Sequence, residues 1–181
     1  MLEERLLIWR FKHGSAEAFA QLYARHRHDL LKLAVVLLAD VSTAEDIVHD
    51  VFVHVARTRR DLRLSGNFRS MLATAVVNRA RNARRDGQRQ RDRAEAKAAR
   101  ARANALGPEQ WAILSEQLQR LSHAMAQLPY EQREAVALHE GADLTFPQIA
   151  RLQQASVNTV QGRCRYGLQK LRALLNSEDT R

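Results

Sequence analysis

Between Leu144 and Ser177 the chain carries five Arg or Lys and no Asp or Glu. The heart of that stretch, residues 156–172, reads SVNTVQGRCRYGLQKLR. On a helix, Val157, Val160, Cys164, Leu168, Leu171 and Leu175 form one apolar face. Asn158, Gln161, Gly162, Arg165 and Gln169 then fall opposite, flanked by Thr159, Arg163, Tyr166 and Lys170. Amide and guanidinium groups hydrogen-bond base edges, hydroxyls and cations bond phosphates, and a glycine lets a backbone approach closely. A carboxylate within a few ångström of a phosphate would repel it, so a helix meant for the major groove gains by excluding acids. An ordinary solvated face mixes both signs. The chemistry on offer is therefore recognition of nucleic acid.

Bond-making chemistry has less to stand on. The sequence has no nucleophile elbow, phosphate loop or cysteine pair. Asp46, His49, Asp50 and His54 have helical spacings compatible with a metal, but such sites need matching ligands on other helices. Glu17, His26 and His28 are the nearby candidates, and no second acid-x-x-His element accompanies them. No metal, no cofactor and no enzymatic activity are expected. The single cysteine, Cys164, rules out an internal disulfide and reads as a buried, inert thiol.

These residues need a scaffold, and composition says which kind. The chain has 181 residues, 45% of them apolar and 6% aromatic, with seven Gly and three Pro. Ala, Leu, Val and Arg dominate, which favours helix over sheet. An all-α protein of two small helical domains is expected. No apolar run reaches the roughly 18 residues that span a bilayer, and the first residues, MLEERLLIWRFKHG, are too charged for a secretory signal. A cytoplasmic location is expected. The net charge is +9, and residues 79–103 hold ten of the 29 basic groups but three of the 20 acidic ones. Such a local excess attracts polyanions.

Gly14 and Ser15 read as a helix stop and the N-cap of the next helix, which carries Phe19, Leu22, Tyr23, Leu30, Leu33, Ala34 and Leu37 and ends at Asp40 and Val41. Ser42 with Glu45 reads as a capping box, followed by an apolar face of Ile47, Val48, Val51, Phe52 and Val55. Residues 57–67 read as a loop. A third helix restarts at Phe68 and keeps its stripe to about Val76. Beyond it, the expected core leaves Arg79, Arg81, Arg84 and Arg85 without a structural role. The first domain is expected over residues 1–85 and a basic linker over 86–107. A second helical domain, 108–181, opens with the stripe Trp111, Leu114, Leu118, Leu121 and Met125 and stops at Leu128 and Pro129. A short helix over 131–139, a turn at 141–143, a helix of roughly 146–153 capped by Thr145 and Gln148, a tight turn at Gln154 and Ala155, and the Ser156-capped helix then make a helix-turn-helix.

Residues 128–175, LPYEQREAVALHEGADLTFPQIARLQQASVNTVQGRCRYGLQKLRALL, resemble region 4 of the extracytoplasmic-function (ECF) sigma factors of bacterial RNA polymerase. Residues 19–85 resemble their region 2. TAEDIVHDVFVHV is similar to the segment that binds core polymerase, and NFRSMLATAVVNRARNARR to the segment that melts and reads the −10 element. The resemblance implies a transcription initiation factor of the sigma-70 family that directs polymerase to promoters. It places Glu45, Asp46, Asp50, Val51 and Phe52 on the contact with the β′ coiled coil. It places Arg59, Arg60, Asn67, Asn78, Arg79, Asn82, Arg84 and Arg85 on the −10 element, with the 57–67 loop capturing a flipped base. It places Asn158, Thr159, Gln161, Gly162, Arg163, Arg165 and Lys170 on the −35 element. Core polymerase, through its β′ coiled coil and β flap, and promoter DNA are the implied partners. No third domain is expected after Arg181, which makes a separate anti-sigma protein the expected regulator.

The sequence departs from the family in places. Ala56 and Met71 stand where Trp is frequent, Ala73 where an aromatic is frequent, Gln161 where Lys or Arg is usual, and Gln153–Ala155 where the turn usually contains Gly. The alternative reading is a helix-turn-helix regulator that never touches polymerase, and it leaves the acidic helix at 42–55 without a purpose.

Overall fold

The structure, a computed structural model, describes the backbone of residues 2–62, 67–95 and 116–178 and the side chains of 3–62, 67–85 and 116–176. Among these residues it is all-α, with eight helices and one short 3-10 turn. The first four helices are α1 (Leu2–Lys12), α2 (Ala16–Leu38), α3 (Val41–Arg57) and α4 (Phe68–Glu95). The last four are α5 (Glu116–Ala126), α6 (Tyr130–Ala142), α7 (Phe146–Gln153) and α8 (Val157–Glu178). Residues 63–66 of the expected loop, residues 96–107 of the expected linker, and Trp111 and Leu114 lie outside the described residues.

Capping fixes where the N-terminal helices begin. Gly14, at φ 98°, turns the chain between α1 and α2 in the left-handed region that glycine enters without steric cost. Ser15 Oγ then accepts the Ala18 N–H at 3.1 Å. The start of α3 differs from expectation: Asp40, not Ser42, is its N-cap, and the Asp40 carboxylate accepts the Thr43 N–H at 2.9 Å. Ala39 takes up the left-handed cap of α2, so α3 starts two residues earlier than the Ser–Glu pattern suggested. At α4 the Asn67 side chain accepts the Ser70 N–H at 2.6 Å. An aromatic cluster joins the first three helices. Phe11 stacks on Phe19, whose ring lies 6.2 Å from Phe52, and Phe52 meets Tyr23 edge-on at 4.7 Å.

The central helix is α2. It packs on α1, α3 and α4 and also on α5 and α6 from the C-terminal half of the chain. That double role explains why Leu33 through Leu37 are all buried: a helix apolar on every side has neighbours on every side. Donors from the C-terminal helices reach the end of α2, where the Leu37 carbonyl has no following helical turn to bond and the Val35 carbonyl already accepts the Ala39 N–H at 2.8 Å. Ser122 Oγ lies 3.5 Å from the Val35 carbonyl, and Arg133 Nη1 donates to the Leu37 carbonyl at 3.1 Å.

Two C-terminal boundaries also shift. The expected turn at 141–143 is helical through Ala142, and Asp143 supplies the left-handed residue at φ 54°. Helix α4 continues through Glu95, so the first ten residues of the expected linker are helical.

Candidate nucleic-acid interface

The turn between α7 and α8 lacks glycine, and the structure shows what replaces it. Gln154 adopts φ 50°, and the Ala155 N–H closes onto the Ala150 carbonyl at 3.0 Å. Gln153 braces the turn from within. Its Nε2 donates to the Glu131 carbonyl at 2.9 Å and to Glu134 at 3.3 Å, and its Oε1 accepts Arg163 Nη1 at 2.7 Å. At the other end of the turn Ser156 Oγ accepts the Thr159 N–H at 3.0 Å. At α7, Gln148 Oε1 accepts both the N–H and the hydroxyl of Thr145.

This frame presents α8 with its inner face packed. Val160, Cys164 and Leu171 are buried, while Val157, expected beside them, is 38% exposed because it sits in the first turn. Burial raises the Cys164 thiol pKa. Two glycines divide the helix. A Cβ on Gly167 would lie 2.8 Å from Val136 Cγ2, so the α8 backbone comes up against the Val136 side chain of α6 there. A Cβ on Gly162 would meet nothing within 4 Å. Around Gly162 stand Asn158, Thr159, Gln161 and Arg165, all exposed, with Arg165 over the Tyr166 ring at 4.9 Å. Arg163 and Lys170 are committed to the protein itself, Arg163 to Gln153 and Lys170 Nζ to the Gln127 carbonyl at 2.9 Å.

The arginine-bearing face of α4 is engaged. Arg81 inserts between α6 and α7, donating from Nε to Glu134 Oε2 at 2.8 Å, from Nη2 to Glu134 Oε1, and from Nη1 to the Leu152 carbonyl at 2.7 Å. Hydrogen bonding to Glu134 raises the Arg81 pKa above its ordinary value. Arg84 stacks over Tyr130 at 4.1 Å, and burial raises that phenol's pKa. Arg85 donates to Asn82 at 2.5 Å. Together with Asn78 and Arg163 these residues line a polar cleft of about 510 Å³ between α4 and the helix-turn-helix. Nearer the start of α4, Arg69 bonds Asp143 at 2.5 Å and the Gly141 carbonyl at 2.8 Å, with Asp29 at 3.3 Å. Of the remaining residues assigned to the −10 element, Asn67 caps α4, Arg59 is half-buried with Nη1 on the Ala56 carbonyl, Arg79 is half-buried and Arg60 is exposed.

On α3 the structure separates two groups that the sequence put together. Glu45, Asp46 and Asp50 are exposed on one face with His49. Val51 and Phe52 are 0% and 2% exposed, so they form core and offer no docking surface; the aromatic cluster claims Phe52, and the apolar stripe claims Val51. The supposition that nothing structural holds Arg81 and Arg84 is likewise corrected: Glu134 and Tyr130 hold them. Glu134 was missed, and it is 1% exposed. Its only signal in the sequence is an acid immediately before the apolar run AVAL.

Residues 118–171 match the family model described as sigma-70, region 4, and residues 22–90 match sigma-70 region 2. The RNA polymerase sigma factor CarQ of Myxococcus xanthus is 30% identical over 166 residues, covering 92% of this chain and 94% of that protein. The chain belongs to the sigma-70 family, within its ECF group. The RNA polymerase sigma-H factor of Pseudomonas aeruginosa is 28% identical over 172 residues, covering 89% of this chain and 88% of that protein. Among solved structures, CnrH in complex with the cytosolic domain of CnrY is similar with a TM-score of 0.67 and 25% identity, covering 96% of this chain and 97% of that one. The sigma factor RpoE of Bartonella quintana, in complex with the anti-sigma factor NepR, has the same fold with a TM-score of 0.69 and 20% identity, covering 89% and 98%. This sigma factor is a transcription initiation factor that directs RNA polymerase to specific promoters. With region 2 present as well as region 4, the reading as a regulator independent of polymerase is not favoured. Among the described residues no helix is long and apolar enough to cross a membrane.

Proposed function

We propose how the work of initiation divides among the helices. Helix α3 docks the factor on the β′ coiled coil through Glu45, Asp46 and Asp50. The turn after α3 and helix α4 take the −10 element, with Arg59, Arg60 and Asn67 beside the flipped base and Asn78, Arg79, Asn82, Arg84 and Arg85 along the strand. Region 4 docks on the β flap and reads the −35 element. There Gln161 and Arg165 select bases, Asn158 and Thr159 meet the strand near the N-terminus of α8, and Gly162 allows contact. Arg163 and Lys170 position the backbone after exchanging their internal partners for phosphate. The factor works in the cytoplasm, catalyses no reaction of its own and answers to a separate anti-sigma protein; the structure of RpoE of Bartonella quintana in complex with the anti-sigma factor NepR supports this. The observation that carries this reading is the acid-free, exposed face of α8 on a rigidly braced turn.

The docking surface is the most exposed part of the proposal to test. Reversing Asp46 and Asp50 to Lys sets like charges against a basic partner surface, which costs several kcal/mol. Both side chains are exposed, so the fold survives. Titration of labelled factor with core polymerase should show affinity falling at least a hundredfold at unchanged helicity. Unchanged affinity in the folded double variant would reject α3 as the docking surface.

A further inference from the structure

Among the described residues, the outward face of α1 is left uncovered. Leu6 and Trp9, one turn apart, are 57% and 58% exposed. Arg5, Lys12 and His13 surround Trp9 on that face, each one helical turn from it. His13 sits against the indole, with ring centroids 4.3 Å apart, and its Nδ1–H donates to the Trp9 carbonyl at 2.8 Å. The acids of the helix lie elsewhere: Glu4 turns inward to His26 at 3.0 Å, and Glu3 falls about 120° from Trp9 around the helix. Lys12 Nζ donates to the Leu62 carbonyl at 2.9 Å, and α1 packs on the 3-10 turn Arg59–Asp61. This basic, aromatic face therefore borders the turn placed above beside the flipped base. Rings are otherwise withheld from that surface. Phe52 is the one Phe, Tyr or Trp of α3 and Phe68 the one of α4, and both are 2% exposed. Phe11, Phe19 and Tyr23 belong to the cluster around Phe52. Among the described residues of region 2, Trp9 is the only exposed member of the three types.

We propose that Trp9 is a stacking platform for a second unpaired base of the separated promoter strand, with Arg5 and Lys12 meeting the phosphates beside it. The proposal rests on the −10 role given above to the turn after α3. A surface indole stacks on a base only where that base has left its duplex, because paired bases turn their faces to one another. Cations flanking an aromatic ring, with no acid between them, are what a single strand needs: charge for the backbone and a π-face for the base. Lys12 keeps two of its three N–H donors beyond the one spent on Leu62, so it ties α1 to the turn and still meets a phosphate. Stacking reads no sequence, since every base has a π-face. Trp9 thus adds strand affinity without narrowing the choice of promoter.

The test uses holoenzyme reconstituted with the full-length factor and a fluorescent, premelted promoter in which a single abasic site is moved one position at a time through the melted segment. Anisotropy gives the affinity for each template at ~0.1 M salt. Trp9→Ala should weaken binding of the intact template roughly tenfold, the loss expected for one stacked base, while Trp9→Phe keeps a ring and stays near the parent. With the parent factor, an abasic site at one position or two adjacent ones should cost a similar factor. There alone the two losses should not add, so that Trp9→Ala binds the abasic template no worse than the intact one. Leu6→Ala removes an exposed apolar side chain that carries no ring and should bind every template as the parent does. Unchanged binding by Trp9→Ala, losses that add at every position, an equal loss in Leu6→Ala, or weaker binding of Trp9→Ala to core polymerase without DNA would each overturn the proposal. The exposed Arg60 tells its failure from that of the −10 role. If Arg60→Ala weakens binding of these templates and Trp9→Ala does not, the platform falls and the −10 role of the turn stands. If both bind as the parent does, that role falls and takes the platform with it.

Discussion

The two surfaces proposed to face DNA in this sigma factor are built alike in composition and differ in what they touch. On α8 the outward side chains Asn158, Gln161 and Arg165 are exposed above a packed inner face. On α4, Arg69, Arg81 and Arg84 are held by Asp143, Glu134 and Tyr130 of the opposite region. The difference shows that basic residues alone do not mark an available nucleic-acid surface. A cation is freely available only where nothing of the protein's own competes for it, elsewhere it must first exchange its partner, and competition depends on residues far away in sequence, 53 positions apart for Arg81 and Glu134.

The contrast within α8 itself should give the largest stability effect. Gly167 meets Val136 and the Gln132 carbonyl, so Gly167→Ala forces α6 and α8 apart at a cost of ~1–3 kcal/mol. Gly162 faces open space, and Gly162→Ala should stabilise the helix by ~0.5–1 kcal/mol because alanine gives up less backbone entropy. Denaturant titration checks both signs. A destabilising Gly162→Ala would mean that this face is covered after all.

A smaller effect compares the two surfaces directly. Arg84→Met loses a cation held over an aromatic ring, worth ~0.5–1 kcal/mol at an exposed site. Arg165→Ala loses only a contact with its neighbour Tyr166 and should change stability by less than ~0.5 kcal/mol. Equal losses in thermal unfolding would erase the distinction between an engaged face and an open one.

Much of this was legible in the sequence because the signals were local. Ser15, Thr145 and Ser156 marked helix starts, and the period of Val160, Cys164, Leu168 and Leu171 oriented α8. Where local patterns competed, the reading slipped: Ser42 and Glu45 fit a capping box, but Asp40 lay two residues earlier and took the cap. Val51 and Phe52 fit both the apolar stripe of α3 and the polymerase contact that the resemblance implied, and their burial decides for core, with the rings of Tyr23 and Phe19 against Phe52. Burial of Glu134 was not legible. It requires Arg81 to arrive from another helix, and the one local sign, an acid just before the apolar run AVAL, does not name that partner.

The claim at the centre of this account is that the open face of α8 selects −35 bases, and Arg165 tests it most directly. Holoenzyme reconstituted with parent or Arg165→Ala factor would be used to transcribe a library of promoters randomised across the −35 and −10 elements. Loss of a bidentate base contact costs ~1–3 kcal/mol at one position. Preference should therefore flatten at one or two adjacent −35 positions while −10 preferences stay as in the parent. A uniform drop across all −35 sequences would contradict the account and reduce Arg165 to a phosphate contact.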